Sequence, residues 1–300
     1  MPTGGTVNQS VVAIGNFDGV HRGHRKVLTE AVGDGSLPLV VITFWPHPVS
    51  VLRPEMAPRM LTDLPHRIEL LKQAGAHEVR VINFTPAVSA LSPAEFVETY
   101  LLPLSPARVV VGDNFRFGRG ARGDVGTLEE LGREHGFEVV PLSLESVGES
   151  VTCSSLIRTS LEEGDVTEAL VHLGRPFTFR GVVVMGDQRG RELGFPTANL
   201  SVGDDMAVPA DGVYAGWLTA EDGLRRAAAI SVGSNPTFDG VDRRVESYVI
   251  DETDLELYGV EVVVEFVARL RGQVKYTGVE ALVEQMKLDV QRAREILGLS

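Results

Sequence analysis

VVAIGNFDGVHRGHRKVLTEAV, residues 11–32, decides how the first half of this 300-residue chain is read. It opens with a run that is apolar on successive residues, the pattern of a strand buried on both faces of a parallel sheet. It ends with His24, Val27, Leu28 and Ala31 at i, i+3, i+4 and i+7, the face of an amphipathic helix. Between them, Gly15, Gly19 and Gly23 let backbone approach a ligand closely. The N-terminus of the following helix offers unpaired N–H groups and partial positive charge, which suits phosphates. His21 and His24 are three residues apart and are predicted to share one helical face. Two imidazoles there can donate hydrogen bonds to oxygens that gain charge in a phosphate displacement. On the residues alone, a surface helix or a zinc-binding pair fits as well.

Outward from this stretch, LVVITF (39–44), VRVINF (79–84), ARVVVG (107–112) and FEVVPL (137–142) repeat the strand pattern. Helical patterns fall between them. One follows Asp63, with Ile68, Leu70 and Leu71, and another runs from a Ser92–Pro93 start to Leu101. The rhythm is that of a doubly wound α/β domain. Around Gly174 it changes. FRGVVVMG (179–186), GVYAGWL (212–218), RAAAISVG (226–233), RRVESYVID (243–251) and VEVVVEFVARL (260–270) follow without regular helices, as in an antiparallel sheet or small barrel. A last helix is expected after a Thr277/Glu280 capping box, with a stripe from Val279 to Leu297. Two domains are therefore expected, residues 1–174 and 175–300.

Composition narrows the function. The net charge of −13 disfavours nucleic acid and anionic membranes as partners. No apolar run reaches the roughly 18 residues that span a bilayer. The single cysteine, Cys153, allows no intrachain disulfide, and the first ten residues lack a secretory pattern, so a cytoplasmic location is expected.

GNFDGVHRGH (15–24) resembles the H-x-G-H signature of the nucleotidyltransferase superfamily. With TFWPHP (43–48), VVVGDNFRFGRGARGD (109–124) and CSSLIR (153–158), it resembles, in order and spacing, the FMN adenylyltransferase module of bacterial bifunctional riboflavin kinase/FAD synthetases. The resemblance implies a Rossmann-like fold. It places ATP phosphates at Gly15, Asn16, Phe17, Asp18, Gly19, His21, Gly23, His24, Ser155 and Arg158, with His21 and His24 catalytic. It places FMN at His47 and Asn114. The chain departs from the family's S-S-T-R-I-R pattern at Leu156, which stands where an arginine is common.

RGVVVMGDQRGRELGFPTANL (180–200) carries glycines suited to a loop over phosphates, and its threonine and asparagine are hard oxygen ligands suited to Mg²⁺. Alone, P-T-A-N also reads as a turn with a cap. The stretch closely resembles the riboflavin kinase module, as do PADGVYAG (209–216), SVGSNPTF (231–238), VESYVID (245–251) and LYGVEVVVEFVARLR (257–271). This implies an antiparallel β-barrel with a C-terminal helix. It implies ATP contacts at Gly181, Gly186, Gly190, Thr197 and Asn199, and Mg²⁺, or alternatively Mn²⁺, at Thr197 and Asn199. Glu246 becomes the catalytic base toward the riboflavin 5′-hydroxyl. Met185 stands where many members carry histidine.

The function implied is two-step flavin cofactor synthesis, riboflavin to FMN and FMN to FAD, each step using ATP. The rivals are a chain with only the kinase live and a noncatalytic flavin-binding regulator.

Overall fold

The structure, a computed structural model, describes residues 9–143, 146–147, 150–186, 190, 193–237, 240–252 and 255–299. Parts of two motifs, at residues 187–189 and 191–192 of the first and 238 of the second, lie outside the described residues, as does most of the N-terminal stretch read for a secretory pattern. The chain forms two compact units, Met1–Pro58 with Leu64–Cys153, and Arg59–Asp63 with Ser154–Ser300.

In the first unit the elements run β1 (Ser10–Ile14), α1 (Arg22–Val32), β2 (Leu39–Trp45), α2 (Pro48–Leu52), α3 (Leu64–Gln73), β3 (Glu78–Asn83), α4 (Pro86–Ser89) and α5 (Pro93–Phe96). Then come β4 (Pro106–Gly112), α6 (Val125–His135), β5 (Glu138–Leu142) and a short hairpin, β6 (Ser146–Val147) and β7 (Ser150–Val151). The sheet order is β3-β2-β1-β4-β5, and every neighbouring pair is parallel. Successive side chains of β1 go to opposite faces: Val11 and Ala13 pack with Leu28, Ala31 and Leu71, while Val12 and Ile14 pack with Phe96, Val97 and Leu128. That is why the central strands have no polar alternation. β3 and β5 correct the sequence reading, because they are edge strands. Of β3 only Ile82 is buried, and Val81 is 36% exposed. At α5 the Ser92 hydroxyl accepts from Glu95 N–H and the Glu95 carboxylate from Ser92 N–H, a full capping box.

The second unit opens with α6's successors, α7 (Ser154–Glu163) and α8 (Val166–Leu173), which Gly174 ends in a left-handed cap at φ 71°. Then follow β8 (Phe177–Val184), β9 (Thr197–Ser201), β10 (Gly212–Thr219), β11 (Arg225–Thr237), β12 (Gly240–Val249), β13 (Glu261–Gly272) and α9 (Val279–Leu297). The strands close a barrel in the order β10-β11-β12-β9-β8-β13, antiparallel throughout. Ile157, Leu161, Val166 and Leu173 of the two helices pack into the same core as barrel residues Phe177, Tyr214 and Phe266.

Two sequence expectations change here. Thr197–Ser201 is a strand and not a turn, with Ala198 and Leu200 in the core and polar residues alternating outward. The expected Thr277/Glu280 capping box is absent: α9 is capped by Gly278 with no side-chain bond, and Val279 is 59% exposed. α9 is held farther along, by Ala293, Val290 and Leu297 against the barrel, and by buried Asp289, which accepts from Arg271 Nη2 at 2.7 Å.

Candidate active sites

In an open parallel sheet, ligands bind at the carboxyl ends of strands where the chain's direction of winding reverses. Here that point lies between β1 and β4. The β1–α1 loop places Gly15, Asn16, Phe17, Asp18, Gly19 and His21 there, Gly23 lies in the first turn of α1, His47 follows β2, and Asn114 follows β4.

The loop backbone is strained. Phe17 and Val20 have φ of 50° and 39°, beside Gly19 at 81°. A non-glycine residue in this region costs about 1–3 kcal/mol, and a β-branched one such as Val20 is rarer still. The strain turns the chain so that His21 becomes the N-cap of α1, with extended backbone (ψ 175°). This corrects the shared-face reading: His21 lies before the helix and meets His24 by capping it. His21 Nδ1 accepts from His24 N–H at 3.3 Å, and the two rings stack at 3.6 Å and 18°. Gly23 has no Cβ to obstruct this, since one would stand 3.3 Å from the His21 ring.

Protonation follows from these contacts. With Nδ1 accepting, neutral His21 carries its proton on Nε2. His24 Nδ1 is buried with no hydrogen-bond partner among the described residues. Burial, then the neighbouring His21, then Arg67 hold the His24 pKa well below 6.5. With His24 held neutral, the two rings can stack without carrying two charges, and each neutral imidazole keeps one N–H to donate. At His47, Nδ1 accepts from Val49 N–H at 3.2 Å, so its Nε2 is protonated. The Asn16 amide Nδ2 lies 3.3 Å from that Nε2.

Sequence reasoning missed what holds this loop. Arg67 of α3 is fully buried and donates to the Asn16 carbonyl at 3.1 Å and to Asp18 Oδ1 at 3.1 Å, and Asp18 is itself only 2% exposed. The Thr43 hydroxyl, also buried, donates to the same Asn16 carbonyl at 2.9 Å. One signal was available: Arg67 falls on the buried face of α3, with Leu70 and Leu71 at i+3 and i+4. Ile68, read as core, is only half-buried.

Ser155 and Arg158 belong to the second unit. α7 begins at Ser154, so they lie inside the helix, and Arg158 Nε donates to the Arg59 carbonyl at 2.6 Å. Of the loop arginines, Arg116 pairs with Asp124 at 3.2 Å and Arg119 donates to the Ala90 carbonyl at 2.7 Å.

The second site is written across a ladder. Residues directly paired in antiparallel strands share a face. Asn199 pairs with Glu246, Glu246 with Ser231, and Thr197 with Tyr248, so these polar groups form adjoining rows. Gln273 Nε2 joins the first row, donating to Ser231 Oγ at 3.1 Å. Asn199 Nδ2 donates to the Thr197 carbonyl and hydroxyl at 3.1 and 3.2 Å. Thr197 and Asn199 line a cavity of about 560 Å³ with Gly186, Pro196, Ser247 and Tyr258. Gly186 packs flat on Asn199, where a Cβ would come within 2.5 Å of the amide carbon. Glu246 is half-buried and stands across the ladder from Asn199. The Phe195 N–H donates to the Gly190 carbonyl at 2.8 Å. Gly181 lies inside β8 opposite Val262, where a Cβ would press on Leu200 at 2.9 Å, a packing reason for glycine.

Among the described residues no three His, Cys, Asp or Glu side chains cluster as a metal cage. Two neutral oxygens, Thr197 Oγ1 and Asn199 Oδ1, suit a hard cation that takes its remaining ligands from nucleotide phosphates and water.

The family model described as FAD synthetase matches residues 5–156, and that described as riboflavin kinase matches residues 173–297. The chain is 36% identical to the bifunctional riboflavin kinase/FMN adenylyltransferase of Bacillus subtilis, over 95% of this chain and 92% of the relative. It is 33% identical to the protein of the same name from Escherichia coli, over 97% and 93%. A solved structure titled as a macrolide-efflux protein from Streptococcus pneumoniae superposes with TM-score 0.86 at 33% identity, covering 97% of this chain and 95% of that one. Among the described residues of this chain no helix is long and apolar enough to cross a membrane.

Proposed function

Because the chain belongs to the bifunctional riboflavin kinase/FMN adenylyltransferase family, we propose that its two constellations divide two ATP-dependent steps between them. The enzyme phosphorylates riboflavin to FMN and transfers the adenylyl group of a second ATP to FMN, giving FAD and pyrophosphate. The boundary of the two activities is assigned near Gly174, with adenylyl transfer in residues 1–174 and phosphorylation in residues 175–300.

In adenylyl transfer, the loop from Gly15 to Gly19 and Gly23 hold the ATP phosphates against the N-terminus of α1, with Ser155 and Arg158 as further phosphate contacts. The imidazole N–H groups of His21 and His24 then donate to oxygens that gain charge as the FMN phosphate attacks. The stacked arrangement of the two rings supports that assignment. His47 and Asn114 contact FMN. No protein nucleophile is required, since the chemistry is positioning and charge stabilisation.

In riboflavin phosphorylation, Glu246 takes the proton from the 5′-hydroxyl as that oxygen attacks the γ-phosphate. General-base assistance of this kind contributes about 10²–10⁴-fold. Gly181, Gly186, Gly190, Thr197 and Asn199 hold ATP, and Thr197 and Asn199 also hold Mg²⁺, or Mn²⁺ in its place. The bound ion neutralises phosphate charge. The cytoplasm is the expected compartment.

The observation that carries this reading is that the Gly15–His24 turn and the ladder of Thr197, Asn199 and Glu246 fall in separate compact units. The purified chain, given riboflavin, excess ATP and Mg²⁺, is expected to accumulate FMN and then FAD by chromatography. Given FMN instead, it is expected to make FAD directly. FMN formation without FAD from either start would remove the adenylyl-transfer half.

A further inference from the structure

The mechanism gives no task to Arg67, the largest fully buried side chain among the described residues. It lies on α3, outside the phosphate-binding loop, yet its guanidinium reaches three parts of the first unit. It donates to the Asn16 carbonyl at 3.1 Å, to the Phe44 carbonyl at 3.4 Å and to Asp18 Oδ1 at 3.1 Å, and it lies 5.3 Å from the centre of the Trp45 ring. Asn16 and Asp18 flank Phe17, one of the two strained residues, and Phe44 is near the end of β2. A buried ion pair is weak evidence for stability, because well-packed apolar residues of similar volume often serve as well. Here both partners are buried at a loop in which two non-glycine residues, Phe17 and Val20, have positive φ.

We propose that Arg67 is a positioning residue for adenylyl transfer, pinning the strained Asn16–Asp18 turn so that His21 caps α1 and stacks on His24. The proposal rests on the reading of this loop as the adenylyl-transfer site. A lysine at 67 keeps the charge but not the planar fork that serves two carbonyls and a carboxylate together. A methionine keeps the volume and loses both.

A second consequence separates positioning from mere support. The groups acting on His24 are His21, stacked on it, and Arg67, with Asp18 from the loop paired to Arg67 and the Phe17 ring meeting it edge-on. Arg67 helps hold His24 neutral, so its removal shifts the titration of His24 to higher pH.

The test uses the intact chain with Arg67→Met, Arg67→Lys and, in parallel, His24→Ala. FAD formation from FMN is followed between about pH 5.5 and 8.5. Riboflavin phosphorylation and a thermal melt report folding. The expected result for Arg67→Met is a kcat lower by about 10–100-fold, a misplacement effect, with the FMN KM little changed. The limb of the rate profile governed by His24 moves to higher pH. Arg67→Lys is expected to keep that limb in place and to recover part of the kcat. A rate within about twofold of the parent with an unmoved profile overturns the proposal. So does a loss that is flat with pH in both variants, or loss of the first unit's melting transition in both. If His24→Ala leaves FAD formation intact, the site reading itself fails. If His24→Ala abolishes it while Arg67→Met does not, only the role of Arg67 fails.

Discussion

The first unit keeps its candidate site in a turn, whereas the second spreads its own over a ladder of strands. Gly15 to His24 are contiguous, and a strand, a strained loop and a helix cap bring them together. Asn199, Glu246 and Ser231 are far apart in sequence and meet only because β9, β12 and β11 lie side by side in one register. A turn presents backbone N–H groups and a helix terminus, which suits phosphates. A ladder presents side chains in fixed rows, which suits a base and two hard oxygens held at set spacing. Each architecture supplies a different kind of donor, and the two steps assigned here need both kinds.

The largest effect that would break this comparison is a loss of reciprocity. Glu246→Gln is expected to lower FMN formation about 10²–10⁴-fold and to leave FMN-to-FAD conversion intact. His24→Ala is expected to lower FAD formation about 10²–10³-fold and to spare the kinase. Steady-state assays of both half-reactions on both variants check this, and either variant losing both while folded would end the division of labour. A smaller effect sharpens the ladder side. In Gly186→Ala the new Cβ meets Asn199 at 2.5 Å, so the amide must swing off Thr197. The kinase rate is expected to fall about 10–100-fold with adenylyl transfer unchanged.

The smallest effect belongs to the turn side and concerns pH. The folded-state pKa of His24 is depressed below its unfolded value of 6.5. Between those values the unfolded chain binds the extra proton, so this contribution to stability is complete above 6.5 and declines as pH falls through it. The first unit's melting temperature is expected to drop more steeply below that pH in the parent than in His24→Asn. Parallel curves for the two proteins would remove this account.

The same contrast explains what the sequence could tell. Core strands such as β1 and β2 were legible because burial on both faces forces apolar residues at every position. β9 was not, because Thr197–Ser201 is short, follows a proline and carries a threonine and an asparagine; its strand character comes from β8 and β12 on either side. The H-x-G-H turn was readable as a motif, but not the fact that His21 caps α1, since capping depends on φ and ψ at Phe17 and Val20. Arg67 was hidden for another reason. Its role is set by which loop α3 packs against, and a charge on an apolar helical face does not name its partner. Glu246 shows the limit from the other direction: alternation in β12 marks it only as an ordinary polar residue, and its place opposite Asn199 is a matter of register.

The seam of the barrel sets an order of events on the ribosome. Gly212 pairs with Gly272, and β13 is also the partner of β8, so two strand edges stay bare until the chain has been made nearly to its end. The parallel sheet needs nothing beyond Leu142. During synthesis the parallel sheet can therefore assemble while the barrel still exposes backbone N–H and C=O groups to any passing strand. Chains released before β13 are expected to precipitate rather than act as slow kinases, which light scattering of stepwise truncations would register.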